Sequence, residues 1–239
     1  MDKNKPALTK RQILDGYYAE PYSFIHVASR VKSPYDVELV SDYQGQDKLW
    51  FYLETYNFSQ KEKKHKINEW VEFFQTNTKT IKLLYFRSGV PQVLFDAACC
   101  QENLEELHFK YGSYKDLSAL KKLADSKLKH LYIGSGSRVE DISPLTEMKN
   151  LVSLYVENFK RIEDYSILTK LQSLQQLVIS GPNMGLTPIK DLDFLRDTPN
   201  LLSFFNPSTT IKKKYTKEEK EKLLAELTHL TFIGDYINW

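Results

Sequence analysis

The sequence predicts an α/β solenoid: a curved parallel sheet with one short strand per turn, preceded by an aromatic-rich N-terminal α+β cap or subdomain. Three observations carry the prediction. The spacing apolar-x-x-apolar-x-apolar returns at Ile81/Leu84/Phe86, Leu104/Leu107/Phe109, Leu128/Leu131/Ile133, Leu151/Leu154/Val156, Leu174/Leu177/Ile179, Leu201/Phe204 and Leu227/Leu230/Phe232, with first positions stepping by 23, 24, 23, 23, 27 and 26 residues. A second motif returns between these segments, as Asp116-Leu117-Ser118, Asp141-Ile142-Ser143, Asp164-Tyr165-Ser166 and Asp191-Leu192-Asp193, each closed two positions later by a leucine. Both ends of the chain depart from the pattern. Self-similarity at this period is the mark of a stacked array. One unit cannot surround its own apolar ribs, so each buries them against its neighbours, and the terminal units need covers.

The elements follow in chain order. Residues 1–58 hold eleven of the 31 aromatic residues, and their apolar runs at 22–27, 37–40 and 49–53 read as strands. The turn Gln44-Gly45-Gln46-Asp47 suggests that the last two pair as a hairpin. Ser59 and Glu62 have capping-box spacing, and Ile67, Trp70, Val71 and Phe74 then share one face, which predicts a helix over 60–76. This gives an N-terminal unit at 1–78 and a repeat unit at 79–239. Within the repeats, each strand is followed by a short helical turn, with Ser118, Ser143, Ser166 and Asp193 as capping residues and Pro144 at a first helical position. Thr216 and Glu219 form a second capping box before a helix reaching about residue 226, followed by a last strand over 228–232 and a closing tail with Trp239 as lid.

Composition narrows the function. The net charge of +2, from 33 basic and 31 acidic residues, creates no field that would draw the whole molecule to nucleic acid or an anionic membrane. No stretch is long and apolar enough to span a bilayer, and the N-terminus MDKNKPALTK lacks an apolar signal core. The two cysteines, Cys99 and Cys100, are adjacent, fall in an expected loop, and are poorly placed for a disulfide with each other. A reducing cytoplasm is the expected location.

The segment 141–156, DISPLTEMKNLVSLYV, resembles the repeat of leucine-rich repeat proteins, particularly the short units of internalin-like bacterial chains. The resemblance spans roughly residues 79–233. It implies that the concave sheet is the usual contact face and that the partner is a protein. The family's asparagine after the strand is missing: Gly112, Gly136, Phe159 and Pro182 stand in its place.

No phosphate loop, dinucleotide fingerprint, nucleophile elbow or paired zinc ligands occurs, so no catalytic residue, cofactor or metal is expected. The lysine runs at 61–66 and 212–214 read as solvated faces. The loops at 181–185 and 206–207, where the spacing lengthens, read as binding protrusions or as tolerated insertions.

Side-chain alternation supplies a candidate site. If the ribs point inward, the residue between the second and third rib points outward. That column reads Tyr85, His108, Tyr132, Tyr155, Val178, Phe205 and Thr231, an aromatic stripe expected to face solvent. With its flanks it gives a candidate protein-binding surface of Tyr85, Glu106, His108, Lys110, His130, Tyr132, Tyr155, Glu157 and Phe205. The expected function is a non-catalytic interaction module, such as a bacterial immunity or regulatory protein. A second reading puts binding in the aromatic N-terminal portion and makes the repeats a rigid spacer.

Overall fold

The computed structural model describes residues 36–51, 53, 58–182, 184–230 and 232–233. The strand expected at 22–27, Thr231 and the tail with Trp239 lie outside these residues.

Among the described residues, nine strands form one sheet in which every pair is parallel: β1 (Asp36–Val37), β2 (Lys48–Phe51), β3 (Leu83–Phe86), β4 (Glu106–Phe109), β5 (His130–Ile133), β6 (Ser153–Glu157), β7 (Gln176–Ser180), β9 (Ser203–Phe205) and β11 (Phe232–Ile233). Sheet order follows chain order, as one strand per turn requires. A second sheet of two parallel strands pairs β8 (Thr187–Ile189) with β10 (Thr209–Ile211). It is built from the two lengthened units, which add these strands at 187–189 and 209–211, and Met184 and Leu186 before the first of them are exposed.

Helices cover the opposite side. α1 (Gln60–Thr76) has the expected capping box, Ser59 accepting from the Glu62 amide while Glu62 accepts from the Ser59 amide. Trp70, Phe73 and Phe74 are its buried face, and they meet Phe51 and Phe86 edge-on or tilted. α2 (Gln92–Ala98) follows, and the two cysteines stand in the turn beyond it, with Cys99 buried as the C-cap residue. Four 3₁₀ turns continue the layer at Ser118–Leu123, Ser143–Glu147, Ser166–Lys170 and Asp193–Asp197. α3 (Lys217–Glu226) closes it with the capping box of Thr216 and Glu219. Between sheet and helices lies a single core containing the ribs Leu84, Leu107, Leu131, Leu154, Leu177 and Phe204. Among the described residues no helix is long and apolar enough to cross a membrane.

Three expectations need correction. β1 and β2 do not form a hairpin: they are parallel, with Asp36 opposite Trp50 and Val37 opposite Phe51. A 3₁₀ turn at Val40–Asp42 carries the chain back across the helical side, so this stretch already behaves as a coil of the array. The capping of the 3₁₀ turns also differs. Asp116, Asp141, Asp164 and Asp191 each accept the amide two residues on, at Ser118, Ser143, Ser166 and Asp193, over 2.8, 2.8, 2.9 and 3.0 Å. A short carboxylate satisfies its own chain two residues later more readily than a serine reaches forward into so short a helix.

The last strand is displaced by three residues. Phe232 pairs with Ser203 and Ile233 with Phe204, where the sequence reading put His229 and Leu230. The cause is a turn that precedes several of the strands, in which the rib amide donates to the carbonyl three residues back: Leu151 to Met148, Leu174 to Leu171, Leu201 to Thr198 and Leu230 to Leu227. Leu230 therefore occupies the first rib position and Leu227 the turn before it, because α3 is longer than the 3₁₀ turns it replaces.

Candidate functional site: the concave face of the sheet

The strand register places the candidate column in one line. Trp50 is opposite Tyr85, Tyr85 opposite His108, His108 opposite Tyr132, Tyr132 opposite Tyr155, Tyr155 opposite Val178, and Val178 opposite Phe205. All stand on the face away from the leucine ribs. Trp50 was not read as the head of this column, although Leu49-Trp50-Phe51 repeats the apolar-aromatic-apolar order of Leu84-Tyr85-Phe86.

The rings form a stack. His108 lies between Tyr85 and Tyr132 with both centroids 4.0 Å away and interplanar angles of 18° and 17°. Tyr132 meets Tyr155 edge-on at 4.4 Å, and Trp50 tilts against Tyr85 at 5.9 Å. The expectation of a stripe turned to water fails in its exposure, though not in its direction: Trp50 is 6% exposed, Tyr85 9%, His108 6%, Tyr132 4% and Phe205 8%. His130 in the flanking column is also buried, whereas Tyr155, Glu106 and Glu157 are half-buried and Lys110 is exposed.

Polar tips are tied together where the strands end. The Tyr132 hydroxyl donates to the Glu157 carboxylate, and Ser180 donates to the Tyr155 hydroxyl over 3.1 Å. Burial dominates the electrostatics. It lifts the Tyr85 phenol to about 12, against the opposing pull of Arg87. It pushes Tyr132 far up, aided by Tyr155 and Glu157, and raises Tyr155 despite the Ser180 hydrogen bond. Burial lowers His130 to about 4 with help from Lys129, and holds His108 well below the usual imidazole range with help from Lys110. It raises Glu106, which Lys48 opposes. These directions favour neutral imidazoles and phenols on this face near pH 7.

Other candidates are dispersed or structural. Among the described residues no group of three His, Cys, Asp or Glu side chains is arranged to hold a metal ion. A groove on the rim where the strands begin is lined by Glu105, Lys127, Lys129, Asn150, Gln172 and Asn200 among others, and its lining has neither histidine nor cysteine. On this rim an asparagine ladder appears that the sequence reading missed: Asn103, Asn150 and Asn200 donate to the carbonyls of Lys79, Ser126 and Gln172 in the preceding coil, at 2.7, 3.1 and 2.8 Å. The repeated dipeptide Asn-Leu at 103, 150 and 200 was its signal. At the positions where the family's asparagine is missing, rings fill the space. Tyr114 and Phe159 are fully buried, and a Cβ on Gly112 or Gly136 would fall inside them.

The fold is a leucine-rich repeat solenoid. Its inward leucine ribs, one strand per coil and regular 3₁₀ turns establish that directly. No protein-family model and no curated protein sequence matches the chain. Among solved structures, an internalin (inlF) from Listeria monocytogenes is similar at 24% identity and a TM-score of 0.49, over 77% of this chain and 53% of that one. A leucine-rich repeat protein from Leptospira interrogans matches at 14% identity and a TM-score of 0.43, over 64% of this chain and 47% of that one. Internalin C2 from Listeria monocytogenes matches at 16% identity and a TM-score of 0.39, over 70% and 77%. The chain thus spans about half the length of the first two.

Proposed function

We propose that this leucine-rich repeat chain is a non-catalytic module that holds a protein partner along the concave face of its sheet. The observation supporting this is the single-register column from Trp50 to Phe205, flanked by Glu106, Lys110 and Glu157. Rigid rings give contact energy at little entropic cost, and open charges beside them select the partner. Tyr155 is the anchor of this contact, since it is the half-buried ring of the stack. Occlusion of a toxin, as by an immunity protein, or of a regulated enzyme is the mechanism such a face offers. The unbridged thiols of Cys99 and Cys100 fit a reducing compartment, the cytoplasm.

The second reading puts binding in the aromatic N-terminal portion, residues 1–58, with the repeats as a rigid spacer. Among the described residues of that portion, Phe51 is sealed in the core and Trp50 belongs to the concave column.

The test uses the full chain as bait in lysate of its native cell. Charge reversal at the flanks, Lys110→Glu with Glu157→Lys, is compared with Lys121→Glu on the helical side. A partner lost with the first and kept with the second is the expected result. Equal capture by both variants sinks the concave-face reading.

A further inference from the structure

Glu157 is a carboxylate held in a fixed place without a counter-charge. It stands half-buried at the end of β6, on the concave side, in the flanking column that runs Lys110, Gly134, Glu157 and Ser180. Its side chain leans back by one coil, where Oε2 accepts the Tyr132 hydroxyl. The lean depends on position 134 having no side chain, because a Cβ on Gly134 would come within 3.0 Å of Oε2 and closer still to the Lys110 carbonyl oxygen. From the core side the buried Tyr114 hydroxyl donates to the Gly134 carbonyl and holds that backbone in position. Glycine, tyrosine and carboxylate form one built corner.

No cation completes it. Among the described residues Glu157 accepts the Tyr132 hydrogen bond and enters no ion pair, so Oε1 has no donor. The nearest cation of its own column, Lys110, carries its ammonium beside the Tyr111 ring, 5.6 Å from the centroid. A half-buried carboxylate gives up hydration with no charge in return, and a cation arriving from outside offsets that cost.

The neighbouring ring narrows the kind of cation. Tyr155 lies two positions before Glu157 on the same strand face, and it is the half-buried ring of the stack. Its hydroxyl is engaged by Ser180 over 3.1 Å, which leaves the ring surface itself to a ligand. An ammonium is a point charge that a single oxygen satisfies. A guanidinium is planar and carries its donors in a fork, so it meets a carboxylate and lies against an aromatic ring at the same time. Arg87 and Lys110 stand on the β3 and β4 side of the corner and repel a cation there, so the approach is from β7, over Ser180.

We propose that Glu157 and Tyr155 form a seat for an arginine side chain of the protein partner, the carboxylate fixing the guanidinium and the ring covering one side of it. This rests on the concave-face docking function and names the chemistry that the partner brings to it. The test needs no partner.

The full chain, labelled with nitrogen-15, is titrated with the peptide acetyl-Gly-Arg-Gly-amide and with the same peptide carrying citrulline, which keeps the shape and removes the charge. The amide signals of Gly134, Glu157 and Ser180 report binding. Saturable shifts at these amides are expected, with the arginine peptide bound about tenfold more tightly than the citrulline peptide, the factor that one charge-assisted pair supplies. Glu157→Gln keeps the size of the side chain and an acceptor for Tyr132, and should bring the ratio to about one. Tyr155→Leu should weaken the arginine peptide about threefold through loss of the ring. Equal affinity for the two peptides, an arginine preference that survives Glu157→Gln, or no saturable shift would overturn the proposal. A partner captured through the concave face while the two peptides bind alike leaves the docking reading standing and removes the arginine seat. An arginine preference abolished by Glu157→Gln, with no partner ever captured, supports the seat and counts against the docking reading.

Discussion

Leu131 and Tyr132 are neighbours on β5 and stand on opposite faces of one sheet. Leu131 joins a column of side chains without a polar atom, closed over by the helical layer. Tyr132 joins a column of rings whose hydroxyls and imidazoles must find partners while withdrawn from water. Both columns are in perfect strand register, so backbone geometry does not distinguish them. The difference is chemical: the rib face gains stability from apolar burial alone, whereas the ring face combines burial with groups that titrate, stack and donate. One face therefore responds to cavity-making changes and the other to pH and to loss of single hydroxyls.

The largest effect expected is from Leu131→Ala, a fully buried rib flanked by ribs on both sides. It should lower unfolding free energy by about 2–5 kcal/mol in urea titration. A loss under about 1 kcal/mol would break the comparison. Gly136→Ala tests the rim between the faces. The added carbon would overlap the Phe159 ring, so overpacking should cost about 1–3 kcal/mol, relieved in the double variant with Phe159→Leu.

The pH response sharpens the contrast. His130 has its folded pKa lowered to about 4, so the unfolded chain takes up a proton that the folded chain refuses. The stability this gives is complete above about pH 6.5 and is lost as pH falls toward 4. Glu106 is raised, so its contribution is present at low pH and lost as pH rises, the opposite slope. Comparing wild type with His130→Gln separates the two. The variant should remove on the order of 2 kcal/mol of acid destabilisation between pH 6.5 and 4, and parallel curves would exclude the buried neutral imidazole.

Tyr132→Phe should cost about 1 kcal/mol, since the Glu157 carboxylate it leaves is half-open to water. Smallest of all is Tyr165→Phe on the rib side. The Tyr165 hydroxyl is buried without a hydrogen-bond partner, so its removal should be neutral or stabilise by a few tenths of a kcal/mol.

Much of the architecture was legible because a two-residue alternation and a 23-residue period repeat the same instruction many times. The register of the candidate column from Tyr85 to Phe205 followed from it. Local signals failed where two were equally good. Leu227 and Leu230 both fit a rib, and only the turn bond between them shows which is which. Gln44-Gly45-Gln46-Asp47 fits a hairpin, and the choice of parallel pairing depends on packing over α1. Exposure of the rings was illegible for a different reason. Alternation assigns a side chain to a face but carries no information about how closely the rings of successive strands stack on one another.

The couples of glycine and ring near the strand ends set a limit on how this molecule can change. Gly136 leaves room for Phe159 one coil later, while Tyr114, one coil earlier, donates to the Gly134 carbonyl. Each unit is thereby cut to fit the next, like links filed by hand. Any side chain at position 136 would bring a carbon into space that the Phe159 ring already fills, so these two positions can change only together.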